Sequence, residues 1–358
     1  MSKISLTPTL SLVNDKDQKL GPEFFTLLEY IHETGRLTEA ANSLGVSYRH
    51  AWNLVNQWSD FFGTELVSFK RGKGASLTEL GEKLLWAQQR VSARMGLQLD
   101  SLASEINMEI NRALKQVKNA LTIHASHGYA VAHLPELLKS VPSLQVDLRY
   151  MGAAESLASL HRGECDLAGF HLPTGTHGKT VLANLMPLIN QRNQRFIHLV
   201  TRTQGLFVTE GNPLGIKNIT DLELKGVKFI NRQVGSATRM LLEQLIKEGN
   251  VSSGKIEGYQ LEEFTHAAVA AFVASGMANT GFGVQPAAAQ FDLDFVPLAK
   301  ERYIFACNAN ETNKPEVQEL ITLIRSNAFN RYVSTLPGYS SPHSGQIMTF
   351  REILTLDK

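Results

Sequence analysis

The stretch TEAANSLGVSYRHAWNLVNQ, residues 38–57, decides the fold of the N-terminal region. Its first half contains small residues and ends near Gly45, and its second half opens with four side chains able to form hydrogen bonds. Apolar residues then recur at helical spacing, at Ala51, Val55 and Trp58. Two short helices joined by a tight turn, the second polar in its first turn and apolar behind it, are typical of a helix-turn-helix.

The polar first turn of the second helix predicts contacts with DNA. This helix enters the major groove N-terminus first, where arginine can form two hydrogen bonds with guanine and asparagine two with adenine. The basic segment FKRGKG follows between two predicted strands, where a wing would bind phosphate. A helical hairpin with a solvated polar edge is the structural alternative. The predicted DNA contacts are Thr38, Ser47, Tyr48, Arg49, His50, Asn53, Asn56, Lys70, Arg71 and Lys73.

Two further patterns concern the N-terminal region. The segment ISLTPTLSL, residues 4–12, alternates apolar and polar residues and predicts a strand. The three tryptophans, Trp52, Trp58 and Trp86, are predicted to lie in the core rather than to stack on a ligand.

A long helix is predicted over residues 79–118, which contain no proline. Its apolar stripe extends beyond the N-terminal domain, and we expect it to link two copies of the chain in a homodimer or homotetramer. Packing on its own domain is the alternative interpretation. The stripe consists of Leu80, Leu84, Val91, Met95, Leu102 and Ile106.

The totals of the sequence exclude several classes of protein. The chain has 358 residues, 43% of them hydrophobic and 19% charged, which indicates a globular protein of two or three domains. Its net charge of +1 argues against a polybasic coat. Two cysteines suit a reducing compartment, and no apolar run approaches the roughly 20 residues that cross a bilayer. We therefore expect a cytoplasmic protein without membrane contact, metal site or cofactor.

Motifs in both halves resemble known regulators. Residues 22–90, through GRLTEAANSLGVSYRHAWNLVNQWSDFFG and LVSFKRGKGASLTELGEKLL, resemble the winged-helix domain of LysR-type regulators, and especially that of the ModE-like, molybdate-responsive ones. From residue 120, strands and helices alternate, which predicts a parallel sheet. DLAGFHLP, NRQVGSATRMLLE and THAAVAAFVASGMANTGFGV there resemble the type 2 periplasmic-binding-protein fold.

The resemblance implies a multidomain chain. An α+β winged helix-turn-helix (residues 1–78) and the linker helix (79–118) precede a two-lobed α/β domain (119–358). Lobe I is expected at about 119–200 and 300–345, and lobe II at about 201–299.

Such two-lobed domains bind ligands in the cleft between the lobes, through loops after strands and first turns of helices. ASHGYA, NRQVGSATR and EEFTHAAVAA have that form. Their helix starts favour a small anion, such as molybdate, tungstate or formate. The expected ligand residues are Ser126, His127, Phe170, His171, Asn231, Arg232, Gly235, Ser236, Thr238, Arg239 and Thr265.

Three classes of function are compatible with these features. A DNA-binding transcriptional regulator whose effector is a small anion accounts for both halves. A solute-binding protein explains the two lobes but leaves the winged helix unexplained. An enzyme would need an acid, base or nucleophile set, and Cys165 and Cys307 lie in apolar strands typical of inert thiols.

Overall fold

The computed structural model describes residues 4–15, 17, 19–70, 74–113 and 120–355. This part of the chain divides into two compact units: Thr7–Gly96, and a larger unit that consists of the residues from Leu97 onward together with residues 4–6. The division falls inside the long helix, whereas the sequence predicts boundaries at residues 78 and 118.

The first unit is a helical core flanked by short hairpins. In chain order it contains β1 (Leu12–Val13), β2 (Lys19–Leu20), α1 (Pro22–Thr34), α2 (Leu37–Ser43), α3 (Tyr48–Phe62), β3 (Val67–Lys70), β4 (Gly74–Leu77) and the first part of α4 (Glu79–Ala113). The strand predicted at residues 4–12 is instead the two-residue β1, paired antiparallel with β2. Gly45 connects α2 to α3 in the left-handed conformation, φ 68°, which favours glycine.

The core of the first unit forms where the helices cross. The Trp58 ring meets Phe24 edge-on at 4.6 Å between centroids, as its predicted core position requires. Trp86 on α4 is half-buried. Trp52 is 36% exposed and does not belong to this core, so its predicted position is corrected. It lies one residue after buried Ala51, on the outward side of α3.

The second unit alternates strands with helices. After the last part of α4 it contains β5 (Ala120–Ala125), α5 (Tyr129–Ala132), α6 (Leu134–Leu137), β6 (Gln145–Tyr150), α7 (Ala153–Arg162), β7 (Leu167–Pro173), α8 (Gly175–Leu185), β8 (Gln194–Val208), β9 (Phe229–Arg232), α9 (Ala237–Glu248), β10 (Glu262–Glu263), α10 (His266–Ala274), β11 (Thr280–Val284), α11 (Gln285–Ala289), β12 (Asp294–Asn308), α12 (Pro315–Arg325), α13 (Asn327–Thr335), β13 (Tyr339–Ser340), β14 (Ile347–Met348) and α14 (Phe350–Thr355).

One mixed sheet runs through this unit. Among the described residues it has ten strands, in the order β10-β9-β11-β8-β12-β7-β5-β6, with β13 and β14 also paired to β8. Strands β5, β6 and β7 are parallel and form lobe I, and β9, β10 and β11 are parallel and form lobe II. The antiparallel strands β8 and β12, of 15 residues each, pass through both lobes. Residues at their middle therefore lie between the lobes.

The last part of α4 covers the edge of this sheet. The hydroxyl of Ser101 accepts a hydrogen bond from the backbone of Tyr150 at 2.9 Å, and that of Ser104 one from Leu148 at 3.1 Å. Both bonds satisfy backbone groups of β6, which is the outermost strand. An edge strand covered in this way cannot pair with another chain.

Candidate functional site

Helix α3 separates a buried face from an exposed face. Its cap is Ser47, whose hydroxyl accepts a hydrogen bond from the backbone of His50 at 3.2 Å. Ala51, Val55 and Trp58 are buried. The residues predicted to contact DNA from this helix are all exposed: Tyr48, Arg49, His50, Asn53 and Asn56. Spacings of three and four place them on neighbouring rows of one surface.

Two exposed aromatic residues lie near Tyr48: Trp52, which was predicted to lie in the core, and Phe69, which was not among the predicted DNA contacts. The Trp52 ring stacks on Tyr48 at 6.3 Å and lies 4.5 Å from the ring of Phe69 on β3. All three rings are exposed. The signal in the sequence was the position of Trp52, one helical turn after Tyr48 and therefore on the same face as that polar first turn.

The wing is a hairpin of β3 and β4. Lys70 is exposed and pairs with Gly74 in the hairpin register. The predicted contacts Arg71 and Lys73 lie outside the described residues. Thr38 is exposed on α2, the first helix of the motif.

The floor of the interlobe cleft is a buried ion pair on the two long strands. Arg202 of β8 faces Glu301 of β12, with Nε and Nη2 each 2.5 Å from Oε1. Gln204 Nε2 donates to the same oxygen at 2.7 Å. All three side chains are at most 2% exposed. A buried charge persists only when it is paired in this way, so the strands meet in a defined register here.

The wall in lobe I is formed by the end of β5 and by β7. Ser126 Oγ and His171 Nδ1 share a hydrogen bond of 3.0 Å, and the Tyr303 hydroxyl donates to the backbone oxygen of Ser126 at 2.7 Å. A side chain at Gly128 would lie 3.5 Å from Arg202 Nη1 and 3.4 Å from the Tyr303 ring. Glycine thus lets the backbone approach the cationic floor.

The wall in lobe II contributes a second guanidinium group. Arg232, the last residue of β9, donates from Nη2 to the backbone oxygen of Phe264 at 2.9 Å and from Nε to Gln233 at 3.1 Å. In the described ranges no carboxylate lies within ion-pair distance of it. Burial, with the charge of Arg202, lowers the pKa of Arg232 to about 10. Arg232 thus adds a second guanidinium group to the ion pair of Arg202 and Glu301.

Histidines around these arginines stay neutral. Burial, reinforced by Arg202 and Arg232, lowers the pKa of His127 to about 3. Burial and the same charges hold the pKa values of His171 and His266 well below their usual range. At neutral pH these histidines therefore add no charge to that of Arg202, Arg232 and Glu301.

Two helix starts of lobe II have the predicted form. Ser236 caps α9 by accepting from the backbone of Arg239 at 3.2 Å, and Gly235 before it has φ +83°. Thr265 caps α10 by accepting from Ala268 at 2.9 Å. Thr238 accepts from Gln204 Nε2 at 3.5 Å, which connects α9 to the floor.

Other predicted ligand residues make contacts within lobe I or lobe II. Phe170 lies inside β7, not after it, and packs in the core with Leu160. Neighbouring residues in a strand point to opposite faces, so Phe170 faces the core because His171 faces the cleft. Asn231 Nδ2 donates to the backbone of Tyr259 at 3.2 Å. Arg239 pairs with Glu243 at 2.9 Å and lies over the ring of Tyr259.

The cleft floor and part of its walls were not predicted from the sequence. Arg202, Gln204, Glu301, Tyr303 and His266 were not among the predicted residues. The signal for Arg202, Gln204, Glu301 and Tyr303 was polar side chains two residues apart in the apolar segments RFIHLVTRTQGLFV and LAKERYIFAC, whereas His266 lies in neither segment. Within the described ranges no three metal-ligating side chains come together, and no helix is long and apolar enough to cross a membrane.

Comparisons with known proteins match both halves of the chain. Residues 135–325 match the family described as the PBP superfamily domain, and residues 23–82 match the bacterial regulatory helix-turn-helix protein, lysR family. The uncharacterized protein YvgK of Bacillus subtilis is 30% identical over 217 residues, which cover 60% of this chain and 68% of YvgK.

Two further relatives are named as transcriptional regulators. The uncharacterized HTH-type transcriptional regulator YybE of Bacillus subtilis is 26% identical over 258 residues, 70% of this chain and 79% of YybE. The DNA-binding transcriptional dual regulator ModE of Escherichia coli is 26% identical over 100 residues, 27% of this chain and 38% of ModE.

These matches confirm the winged helix-turn-helix and the periplasmic-binding-protein-like fold, and they indicate a regulator rather than an enzyme. The chain belongs to the PBP superfamily and, with its N-terminal helix-turn-helix of the lysR family, is a LysR-type transcriptional regulator related to ModE.

Proposed function

We propose that this regulator binds double-stranded DNA through α3 and the wing and releases or rearranges on DNA when a small anion enters the interlobe cleft. The anion belongs to the class of oxyanions such as molybdate or tungstate and short carboxylates such as formate. The protein acts in the cytoplasm, as binding to chromosomal DNA requires.

The charge of the cleft carries the effector half of this proposal. Arg202 is neutralised by Glu301, and Arg232 has no carboxylate partner in the described ranges. A partly buried cation without a counter-charge is costly, so an anion that binds beside it is favoured. Ser126, His127 and His171 in lobe I, and the helix starts at Gly235, Ser236 and Thr265 in lobe II, supply polar groups on both sides.

Binding between lobes explains how the anion acts at a distance. The Tyr129 hydroxyl of lobe I donates to Gln290 of lobe II at 3.3 Å, so the closed cleft has at least one hydrogen bond across it. An anion that bridges lobe I to Arg232 favours this closed arrangement over an open one. Such differential binding shifts the equilibrium between the two.

The DNA interface consists of α3 with the wing. Arg49 and Asn53 occupy one row of the exposed face and are assigned to base edges, with Lys70, Arg71 and Lys73 on phosphate. The rings of Tyr48, Trp52 and Phe69 add an apolar row, which is suited to the methyl groups of thymine.

Helix α4 is proposed to pair two copies of the chain, as a dimer or within a tetramer. Leu80 and Leu84 of the predicted stripe pack on the first unit, but Met95 and Leu102 are 43% and 46% exposed. Ile110 is also exposed. Apolar side chains in this arrangement on a long helix suit a coiled-coil contact. Residues 114–118 of the predicted linker lie outside the described residues.

The proposal is tested on the full-length protein with two assays in parallel. A thermal-melting screen uses molybdate, tungstate, sulfate, nitrate, formate and short carboxylates, because a ligand at about 100 times its dissociation constant stabilises by roughly 2.7 kcal/mol. Fluorescence anisotropy measures binding to DNA selected from a random library. Arg49→Ala should weaken DNA binding and leave the anion-induced shift unchanged. Arg232→Gln should reduce the anion-induced shift and leave DNA binding unchanged.

The exposed Arg331 on α13 supplies a matched control, Arg331→Ala, which should change neither assay. If no anion shifts the melting temperature, the effector assignment is wrong. If Arg232→Gln removes DNA binding in a folded protein, the two functions are not divided between the halves as proposed. A protein that binds an anion but no DNA would be a solute-binding protein.

A further inference from the structure

We infer that the effector carries its own hydrogen-bond donor beside its charged oxygens and has a single negative charge. This inference rests on the proposed anion site and narrows its ligand. It selects a carboxylate or oxyanion with an adjacent O–H group over fully deprotonated dianions and over anions that only accept hydrogen bonds.

The first observation is the asymmetric use of the Glu301 carboxylate. Its Oε1 receives Arg202 and Gln204, as described above. Its Oε2 is buried and has no hydrogen-bond partner among the described residues. An ionised carboxylate accepts through both oxygens, and leaving one of them without a donor in a buried site is unfavourable.

Gln204 presents the same chemistry next to it. Its amide nitrogen is directed to Glu301 and Thr238, and its Oε1 is buried without a partner in the described part of the chain. Both side chains are 0% exposed. The cleft floor thus holds two adjacent side chains, each with an acceptor oxygen that needs a donor. A ligand that has only acceptor oxygens cannot satisfy either of them.

The walls of the cleft add groups that suit the charged end of the ligand. Arg232 of lobe II donates hydrogen bonds, and Arg202 Nη1, which donates to the Tyr339 hydroxyl at 3.4 Å, lies where Gly128 leaves room for an approaching group. His171 Nε2 and His266 Nδ1 are also buried and without a partner among the described residues. A neutral imidazole has one donor and one acceptor nitrogen, so it can bind either the charged oxygens or the hydrogen-bond donor of such a ligand.

The charges of the site favour a monoanion. Arg202, Arg232 and Glu301 leave one positive charge in excess, which a monoanion neutralises. A dianion such as molybdate or sulfate would leave a net negative charge and place its oxygens against Glu301 Oε2. Like charges side by side in a buried site are strongly unfavourable.

Two sources share this chemistry: 2-hydroxycarboxylates and protonated inorganic oxyanions. Isothermal titration of the full-length protein separates them with two matched pairs. Glycolate and acetate differ by one hydroxyl group. Bicarbonate and nitrate are planar monoanions of similar size, and only bicarbonate has an O–H group. Sulfate and molybdate test the dianion class.

We expect glycolate to bind about tenfold tighter than acetate, or bicarbonate about tenfold tighter than nitrate, since an unsatisfied buried acceptor costs of that order. The pair that shows the preference identifies the source. Glu301→Gln, which gives the floor a donor and removes its charge, should reduce that preference and improve sulfate binding. If Glu301→Gln does not fold, Gln204→Leu removes one of the two acceptors and should reduce the preference alone.

Two outcomes overturn the inference and are distinguishable from failure of the proposed function. If sulfate or molybdate binds most tightly and Arg232→Gln abolishes that binding, the proposed anion site is supported, but the inference that the effector is a monoanion with a hydrogen-bond donor is wrong. Equal affinities for glycolate and acetate, together with equal affinities for bicarbonate and nitrate, would also show that the inference about the donor is wrong. If none of these anions binds, the proposed function itself fails.

Discussion

Replacing Arg232 by methionine is expected to stabilise the anion-free protein while it removes the response to anions. The substitution keeps much of the side-chain volume and deletes the charge. That charge is partly buried beside Arg202, and the pKa of Arg232 is lowered from 12.5 to about 10 by burial first and by Arg202 second. A positive charge in such surroundings destabilises the folded state.

The magnitude follows from the pKa. At about 1.4 kcal/mol per pKa unit the lowering corresponds to about 3 kcal/mol, an upper bound because solvent screens the exposed part of the side chain. Methionine also loses the hydrogen bonds to Phe264 and Gln233, worth about 1 kcal/mol each. The net gain is therefore at most about 1 kcal/mol, which corresponds to a rise in melting temperature of no more than roughly 2–4 °C for a domain of this size.

Anion binding should change in the opposite direction. A hydrogen bond to a charged donor contributes about 1.5–3 kcal/mol, so the variant should lose roughly ten- to a hundredfold in affinity. The assay is thermal melting with and without glycolate, bicarbonate, nitrate, molybdate or sulfate. Opposite signs in the two conditions distinguish a ligand-binding arginine from a structural one.

Arg239 of the same lobe is the matched control. It is buried against Glu243 and the Tyr259 ring, so Arg239→Met should lower the melting temperature and keep the anion-induced shift. The reasoning would be refuted if Arg232→Met melted below the wild-type protein and still gave the full shift with anion. Arg232 would then be a structural residue.

Three further predictions concern the other surfaces. Trp52→Ala should weaken binding to selected DNA several-fold without loss of stability, since the ring is outside the core. Replacing thymine by uracil in that DNA should weaken binding by the wild-type protein but not by the variant. If the wild type and the variant lose the same DNA affinity on this replacement, recognition of the thymine methyl group is excluded. Leu102→Glu should convert the oligomer to a smaller species in light scattering with the fold intact by circular dichroism, and an unchanged mass would remove α4 from the interface. Folding lowers the pKa of His127 from its ordinary 6.5 to about 3, so its contribution to stability is complete above pH 6.5 and is lost as pH falls below it. The melting temperature of His127→Gln should therefore depend less on pH between about 7 and 5 than that of the wild type, and parallel curves would contradict this.

The features predicted best from the sequence depend on neighbouring residues. The buried face of α3 follows from the spacing of Ala51, Val55 and Trp58, and Ser47 caps the helix through a residue three positions away. The caps Ser236 and Thr265 form in the same way. Helical period and capping bonds act within one or two turns, so a single sequence shows them.

The predictions that failed or missed depend on partners far along the chain. The strand predicted at residues 4–12 lacked a partner to pair with over most of its length, and only β1 found one in β2. Phe170 was placed in the cleft because the end of β7 was predicted too early. A shift of one residue in a strand reverses which side chain faces the core. In β7, His171 faces the cleft and Phe170 faces the core.

The sequence by itself determined the helix-turn-helix, its exposed polar residues, the alternation of strands and helices, and the helix starts of lobe II, because each of these arises from local periodicity and composition. Only the tertiary structure decided the floor of the cleft. Arg202 and Glu301 are 99 residues apart and meet because β8 and β12 pair antiparallel between the lobes. Which charges are neutralised and which remain for a ligand is set by that pairing, and no local pattern encodes it.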